Sequence, residues 1–419
     1  MATTWAGLSD TWAGLDDSWR GPFDNTLEVF LEIVEGFILD DPVAGVLDNP
    51  NYTLGGEAFA DISDYLIDVS VARGKSRDLD RFSSGTVSIA LNNEERTFDP
   101  NYVSGPYYGQ IVPRRKIRIL KSSLPIFYGV IDDWNFAYDP SNGSKAEIVA
   151  TDDFTLLARQ SYSATSITQL SGARVSAVLD SNGVLWPESE REISEGISEL
   201  GPDVFDGNAL EYLQKIETSE QGALFIGKDG KLVFKSRSDA TPTSQTLLTF
   251  ADDGTGIPFS SVQVNYGTEL LVNTVTATSD AGSATAQNQR SRISYGVSSE
   301  NIETLMSTQE QLTNLADFIV SRFGDPEYRF GGLTLNLDTL TSSQKYDVLE
   351  LDLGDVVLIK YTPNGLGDPI IQYGEIIKLD NQVTQIRHDI RIGVSALDWT
   401  FLVLNDALFG TLDNNHLAF

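Results

Sequence analysis

Apolar and polar residues alternate in several short runs along the chain, and a two-residue period marks strands with one buried face. Val87, Ile89 and Leu91 alternate with Ser88 and Ala90, and Ile117 and Ile119 alternate with Lys116 and Arg118. Strands are also expected over residues 26–39, 126–132, 271–278, 329–337, 349–353, 356–360, 370–379, 383–394 and 399–404. Asn92-Asn93, Asp99-Pro100-Asn101 and Gly354-Asp355 punctuate them as turns. Trp134, Phe136 and Tyr138 form an aromatic corner where the strand over 126–132 ends. Successive strands joined by such breakers predict a small antiparallel barrel or sandwich.

The period changes in the middle of the chain. Residues 155–159 and 172–179 look helical, and 208–219 predicts a capped amphipathic helix. Asn208 is its N-cap, with Leu210, Leu213 and Ile216 on one face. Asp229-Gly230 between two apolar runs predicts a tight hairpin over residues 223–235. Residues 307–322 predict a longer helix striped by Leu312, Leu315, Ala316, Ile319 and Val320. The acidic run 188–199 and the small polar run 279–290 read as solvated loops.

A chain of 419 residues exceeds one ordinary core, so two to four domains are expected. The net charge of −31 argues against a broad basic face for nucleic acid. Acids dominate from the start: residues 1–69 hold 14 acids against one base, Arg20. Cations gather in two places. Arg73, Lys75, Arg77 and Arg81 fill one loop, and Arg114, Arg115, Lys116, Arg118 and Lys121 flank one strand. The second group reads as a binding surface for an acidic partner, or as a solvated strand face. With no cysteine, disulfides and thiolate metal sites are excluded. The first residues lack a basic and apolar leader, so export is not expected, and no apolar run reaches the roughly 18 residues of a membrane span.

Two repeats stand out. Trp5, Trp12 and Trp19 recur every seven residues, each followed by Gly two places on and Asp five places on. A glycine in each unit and Pro22 argue against a helix, so three similar turns are expected, each presenting one indole to a binding partner. Residues 39–49 and 404–414 share six of eleven positions and predict a short turn element at both ends of the chain; calcium binding there is the lesser reading, because the ligand ladder of an EF-hand loop is missing. Reactive chemistry is hard to find. The histidines are His388, expected on a strand surface, and His416; a strand-turn-helix nucleophile elbow and a phosphate loop are both absent. No catalytic residue, metal ligand or cofactor is expected.

The order of motifs over about 80 residues resembles the minor tail or tail-hub (baseplate hub) proteins of long-tailed bacteriophages. It runs Arg73-Gly74, then Leu79, Asp80, Phe82 and Gly85, a strand, Asn92-Asn93, residues 98–101 (FDPN), residues 106–109 (PYYG), a basic strand and Trp134. Glu220, Gly222, Leu224, Phe225, Asp229, Gly230, Leu232 and Phe234 match a segment of the family's inserted domain. Asn273 and Val275, residues 294–296 (SYG), residues 326–329 (PEYR) and Gly354-Asp355 continue the pattern. The resemblance implies a mainly β fold with α/β parts: two small tail-tube-like β-barrels, an inserted α/β domain and a helix-bearing connector. The expected division is a Trp-repeat arm (1–25), a first barrel (26–153), the insertion (154–245), the connector (246–345) and a second barrel with a C-terminal segment (346–419). It also implies a virion tail-tip protein, assembled in the bacterial cytoplasm as a homotrimer. Its partners would be the tail-tube end or distal tail protein, the tape-measure protein and fibre proteins, with DNA only in transit. Trp5, Trp12, Trp19, Arg114, Arg115, Lys116 and Arg118 are the expected partner-binding residues. The competing class is a secreted acidic β-rich protein that binds carbohydrate or calcium.

Overall fold

The computed structural model describes residues 23–34, 58–78, 80–139, 143–240 and 248–397. The Trp repeat, both copies of the repeated turn element, the strand expected over 399–404 and His416 lie outside them. Seven strands come first: β1 (Leu27–Val34), β2 (Ala58–Asp61), β3 (Leu66–Gly74), β4 (Ser83–Asn92), β5 (Lys116–Lys121), β6 (Leu124–Asp139) and β7 (Gly143–Thr151). Their alternation is the one read from the sequence. Val87, Ile89, Leu91, Ile117 and Ile119 are buried in one core with Val29, Val69, Phe98 and Ile148. One element runs further than expected. β6 continues through the aromatic corner, where Trp134, Phe136 and Tyr138 stack at 6.2 and 6.4 Å along one strand face.

An α/β module follows. It comprises α1 (Phe154–Leu157), β8 (Ser161–Ser166), β9 (Gln169–Leu170), α2 (Ser171–Leu179), β10 (Arg191–Ile193), β11 (Glu199–Leu200), β12 (Asp203–Asn208), α3 (Ala209–Glu220), β13 (Ala223–Ile226) and β14 (Leu232–Lys235). Asn208 caps α3 by accepting from the Glu211 amide at 2.8 Å, and α2 and α3 cover the β13–β14 hairpin with Val175, Val178, Leu213 and Ile216. The acidic run is not all loop: β10 pairs in parallel with β14.

Two strands then return to the first layer, β15 (Leu248–Ala251) and β16 (Ser261–Tyr266), before a separate unit of β17 (Thr274–Ser279), β18 (Gly282–Gln287), α4 (Gln289–Tyr295), β19 (Ser299–Glu303) and α5 (Gln309–Phe323). The run expected as a loop holds β18, because its small residues alternate: Ala284 and Ala286 are buried under α5 while Ser283 and Thr285 face outward. The chain closes with β20 (Tyr328–Asn336), α6 (Ser342–Glu350), β21 (Val356–Tyr361), β22 (Ile370–Thr384) and β23 (Arg387–Leu397). The strand expected over 349–353 is instead the end and exit of α6, whose start is fixed by a capping box between Thr341 and Gln344.

The molecule is mainly β, but among the described residues no sheet closes on itself, in place of the two closed barrels expected. Thirteen strands form one open sheet, in the order β16-β20-β23-β22-β3-β4-β7-β6-β5-β1-β2, with β21 on β22 and β15 on β21. The reason lies in β22. Its first half pairs with β21 and its second half with β3, so the strand that would complete the second half of the sheet joins it to the first. The handover falls at a bulge between Ile376 and Lys378. Gly74 sits against it with φ +112°, where a Cβ would lie 2.1 Å from the Ile377 carbonyl oxygen, so only glycine fits. Two cores result on one sheet: Val383 of β22 packs into the first, while Ile376 and Leu379 pack into a second with Phe250, Phe330, Val357 and Ile392.

Candidate assembly surfaces

The end of β3 and the loop that follows it tie the lobes together, and their cations separate by role. Arg73 is 5% exposed; its guanidinium pairs with Asp352 at 2.8 Å and donates to the Ile226 carbonyl at 2.6 Å. Asp352 also accepts from the Lys228 amide at 2.9 Å, and Lys228 Nζ donates to the Leu349 carbonyl at 2.6 Å. Lys235 pairs with Asp355 at 3.0 Å. One ionic cluster therefore holds the β3 end, the β13–β14 hairpin and the segment before β21. Burial alone would raise the Asp352 carboxyl, but Arg73 and the Lys228 amide outweigh it and hold it below the usual carboxylate range. Arg81 Nε donates to Thr218 of α3 at 3.2 Å, and Arg77 faces Glu269 at 3.7 Å. Sequence reasoning saw the basic loop but missed Asp352, Lys228, Lys235 and Asp355, because the Asp-Gly and Gly-Asp dipeptides beside them read as turns only.

The motif residues of the long loop before β5 are structural. Asn93 is fully buried and accepts from the Phe98 amide at 2.9 Å. Phe98 stacks between Tyr107 at 5.6 Å and Trp134 at 6.1 Å, so the loop plugs one end of the first core with aromatic rings. Asn273 works in a similar way. It donates to the Gly296 carbonyl at 2.7 Å and accepts from the Ser298 amide at 2.9 Å, gripping the turn after α4.

The second basic group is not one continuous patch. Arg114 (φ +72°), Arg115 and Lys116 stand where the chain enters β5; Arg114 faces Asp132 at 3.6 Å. Arg118 lies over the rings of Phe59 at 4.0 Å and Tyr128 at 5.3 Å. Lys121 shares the phase of Ile117 and Ile119 and is 2% exposed, and burial lowers its pKa. Phe23, where the described chain begins, packs on Tyr346 of α6 at 5.0 Å.

His388 is buried, not on a strand surface. It follows the inward phase of Ile390 and Ile392, is 1% exposed, and its Nε2 lies 2.9 Å from Asn381 Oδ1. Burial pushes its pKa down to about 3, so it is neutral and structural. Two carboxyls move the other way. Asp152 accepts from the Gly85 amide at 2.6 Å and the Ser84 hydroxyl at 2.7 Å, and burial raises it to about 6. Glu217 on α3 is raised to about 7 by burial, against the pull of Lys75 and of the Leu224 and Phe82 amides. A raised folded-state pKa gives stability that is full below the unfolded value near 4.5 and lost as pH rises through about 7. Glu217→Gln removes that loss. The variant is expected to gain roughly 2–3 kcal/mol at pH 8 and almost nothing at pH 4.5, read from urea midpoints. Equal gains at both pH values would refute this account.

No protein-family model matches the chain, and no curated protein matches it. Solved structures do. The tail protein from Neisseria meningitidis MC58 superposes with a TM-score of 0.58 at 10% identity, over 89% of this chain and 97% of that one. The 43 kDa tail protein of prophage MuSo2 from Shewanella oneidensis gives 0.53 at 13% identity, over 81% and 94%. Over most of its length, the chain shares the fold of these two tail proteins.

Proposed function

We propose that this protein is a structural, non-enzymatic hub at the tip of a phage tail. The observation that carries the reading is the paired core: one subunit brings two sheet halves, each with its own apolar centre, in the fold of two tail proteins. Each half takes the place of one tube-like barrel: the first is built from residues 26–153, and the second joins β15, β16 and β20 of the expected connector (246–345) to β21, β22 and β23, with the insertion (154–245) and the β17–β19 unit outside them. Three subunits then present six such halves to a sixfold tube while the assembly itself is threefold, and DNA leaves through the central channel. The net charge of −31 suits a channel that DNA must pass without sticking. The tube end, the tape-measure protein and fibre proteins are the neighbours in this reading. Arg114, Arg115, Lys116 and Arg118 face an acidic neighbour, and Trp5, Trp12 and Trp19 anchor the arm on a partner.

Light scattering on the purified chain and copy counting in assembled tails test it together. A trimer is expected in solution, or a monomer that becomes three copies on the tail; a dimer, a tetramer or a copy number not divisible by three overturns it. Deleting residues 1–22 should leave the subunit folded with the same mass but depleted from tails, since each indole anchor contributes about 2 kcal/mol or more. Unfolding of the truncated chain would place the tryptophans in the subunit's own core.

A further inference from the structure

Between the β3–β4 loop, α3, β19 and the end of α5 lies a cleft of about 380 Å³. Glu217 lines it and is 4% exposed. One carboxylate oxygen accepts from the Leu224 amide at 3.3 Å; the other, Oε2, is buried and makes no close hydrogen bond among the described residues, while the Phe82 amide also acts on the carboxylate. Lys75 and Arg81 act on Glu217 through space, but the cations around it make their hydrogen bonds elsewhere. Lys75 donates to the Asp78 carbonyl at 2.7 Å and lies over the Phe82 ring. Arg81 is held by Thr218, and Arg322 donates to Ser395 at 2.7 Å beside Glu375. Asp78 and Asp80 of the loop, Glu300 and Glu303 of β19 and Glu375 of β22 complete the charged lining. With Glu217 that is six carboxyls against three cations, Lys75, Arg81 and Arg322.

We propose that this cleft receives a basic side chain, a lysine ammonium or an arginine guanidinium, carried by a partner protein. The incoming cation completes an ion pair with Glu217 Oε2 in a partly desolvated site, where such a pair is stronger than on an open surface. The excess of carboxyls draws it in. An ammonium next to Glu217 also favours the ionised carboxylate. Since burial holds Glu217 near 7, docking at neutral pH is coupled to loss of its proton. The inference stands whether or not the chain is a tail hub.

An acetylated tri-lysine amide is the probe, titrated calorimetrically into the full chain at pH 7 in two buffers of different ionisation enthalpy, with a tri-glutamate peptide as counter-probe. Saturable binding of one tri-lysine per chain is expected, with release of about half a proton and affinity rising from pH 6 to 8. Glu217→Gln should weaken binding at least about tenfold and abolish proton release, whereas Asp206→Asn, an exposed acid on β12 with the same change in net charge, should alter it by less than about twofold. Absence of saturable binding overturns the proposal. So does a Glu217→Gln chain that binds as tightly as the parent, or binding without proton release.

Discussion

Arg73→Ala is expected to cost about 3–5 kcal/mol and to loosen the α/β module from the sheet. Arg73 and Asp352 meet at 2.8 Å with the arginine almost fully buried, and the guanidinium also satisfies the Ile226 carbonyl. Removing it leaves a carboxylate in a site that burial alone would disfavour, and breaking one partner of a buried pair costs more than the pair contributes. Hydrogen exchange should show lost protection in β13, β14 and residues 351–355, with β5 and β6 unchanged. The double variant Arg73→Ala with Asp352→Ala should recover at least about 1 kcal/mol relative to the sum of the single changes. Strict additivity would mean that the cluster does not couple these lobes.

Arg174→Met is expected to destabilise the α/β module by about 4 kcal/mol, since methionine fills similar space but leaves several buried acceptors with no donor, at about 1–3 kcal/mol for each. Arg174 is fully buried at the centre of that module, and its partners are neutral: Tyr212 Oη at 2.7 Å, the Gly201 carbonyl at 2.9 Å, and the Ile167 carbonyl. Arg174→Lys should restore only part of the loss, because one ammonium cannot span acceptors on β8–β9, β11 and α3 as a planar guanidinium does. A urea midpoint for the methionine variant within about 1 kcal/mol of the parent would show that the network is dispensable.

How much of this was legible depended on whether the signal was local. The phase of Val87, Ile89 and Leu91, the Asn208 cap and the Asp229-Gly230 hairpin follow from neighbours in sequence, and they appear as read. The ordered motifs pointed to the fold, although their residues turned out to pack and cap: Phe98 is a plug and Asn273 a grip. What the sequence concealed was long-range. β22 reads as two strands because Asp380, Asn381 and Gln382 interrupt its apolar run, yet all three pair with both β3 and β23. Lys121 and His388 look like surface residues, but each falls on the buried phase of its strand. Of the expected partner-binding residues, Arg118 is folded over aromatic rings, while Glu217 carried no sequence signal beyond its place on α3, since its surroundings are assembled from segments far apart in the chain.

The pairing of β3 with β22 also governs how the chain reaches its fold. β22 follows β3 only after the α/β module and the β17–β19 unit, so one edge of β3 stays open while all of that intervening chain is made. Contacts this distant in sequence close slowly, because the entropy of a very long loop is lost before the ladder forms. Until then the unpaired edge can template pairing with another chain. The α/β module and the β17–β19 unit, built from contacts within their own segments, should mature first, leaving closure of the large sheet as the slow step. Yield during expression should thus depend on growth temperature and on holding nascent chains apart, far more than on the stability of the finished subunit.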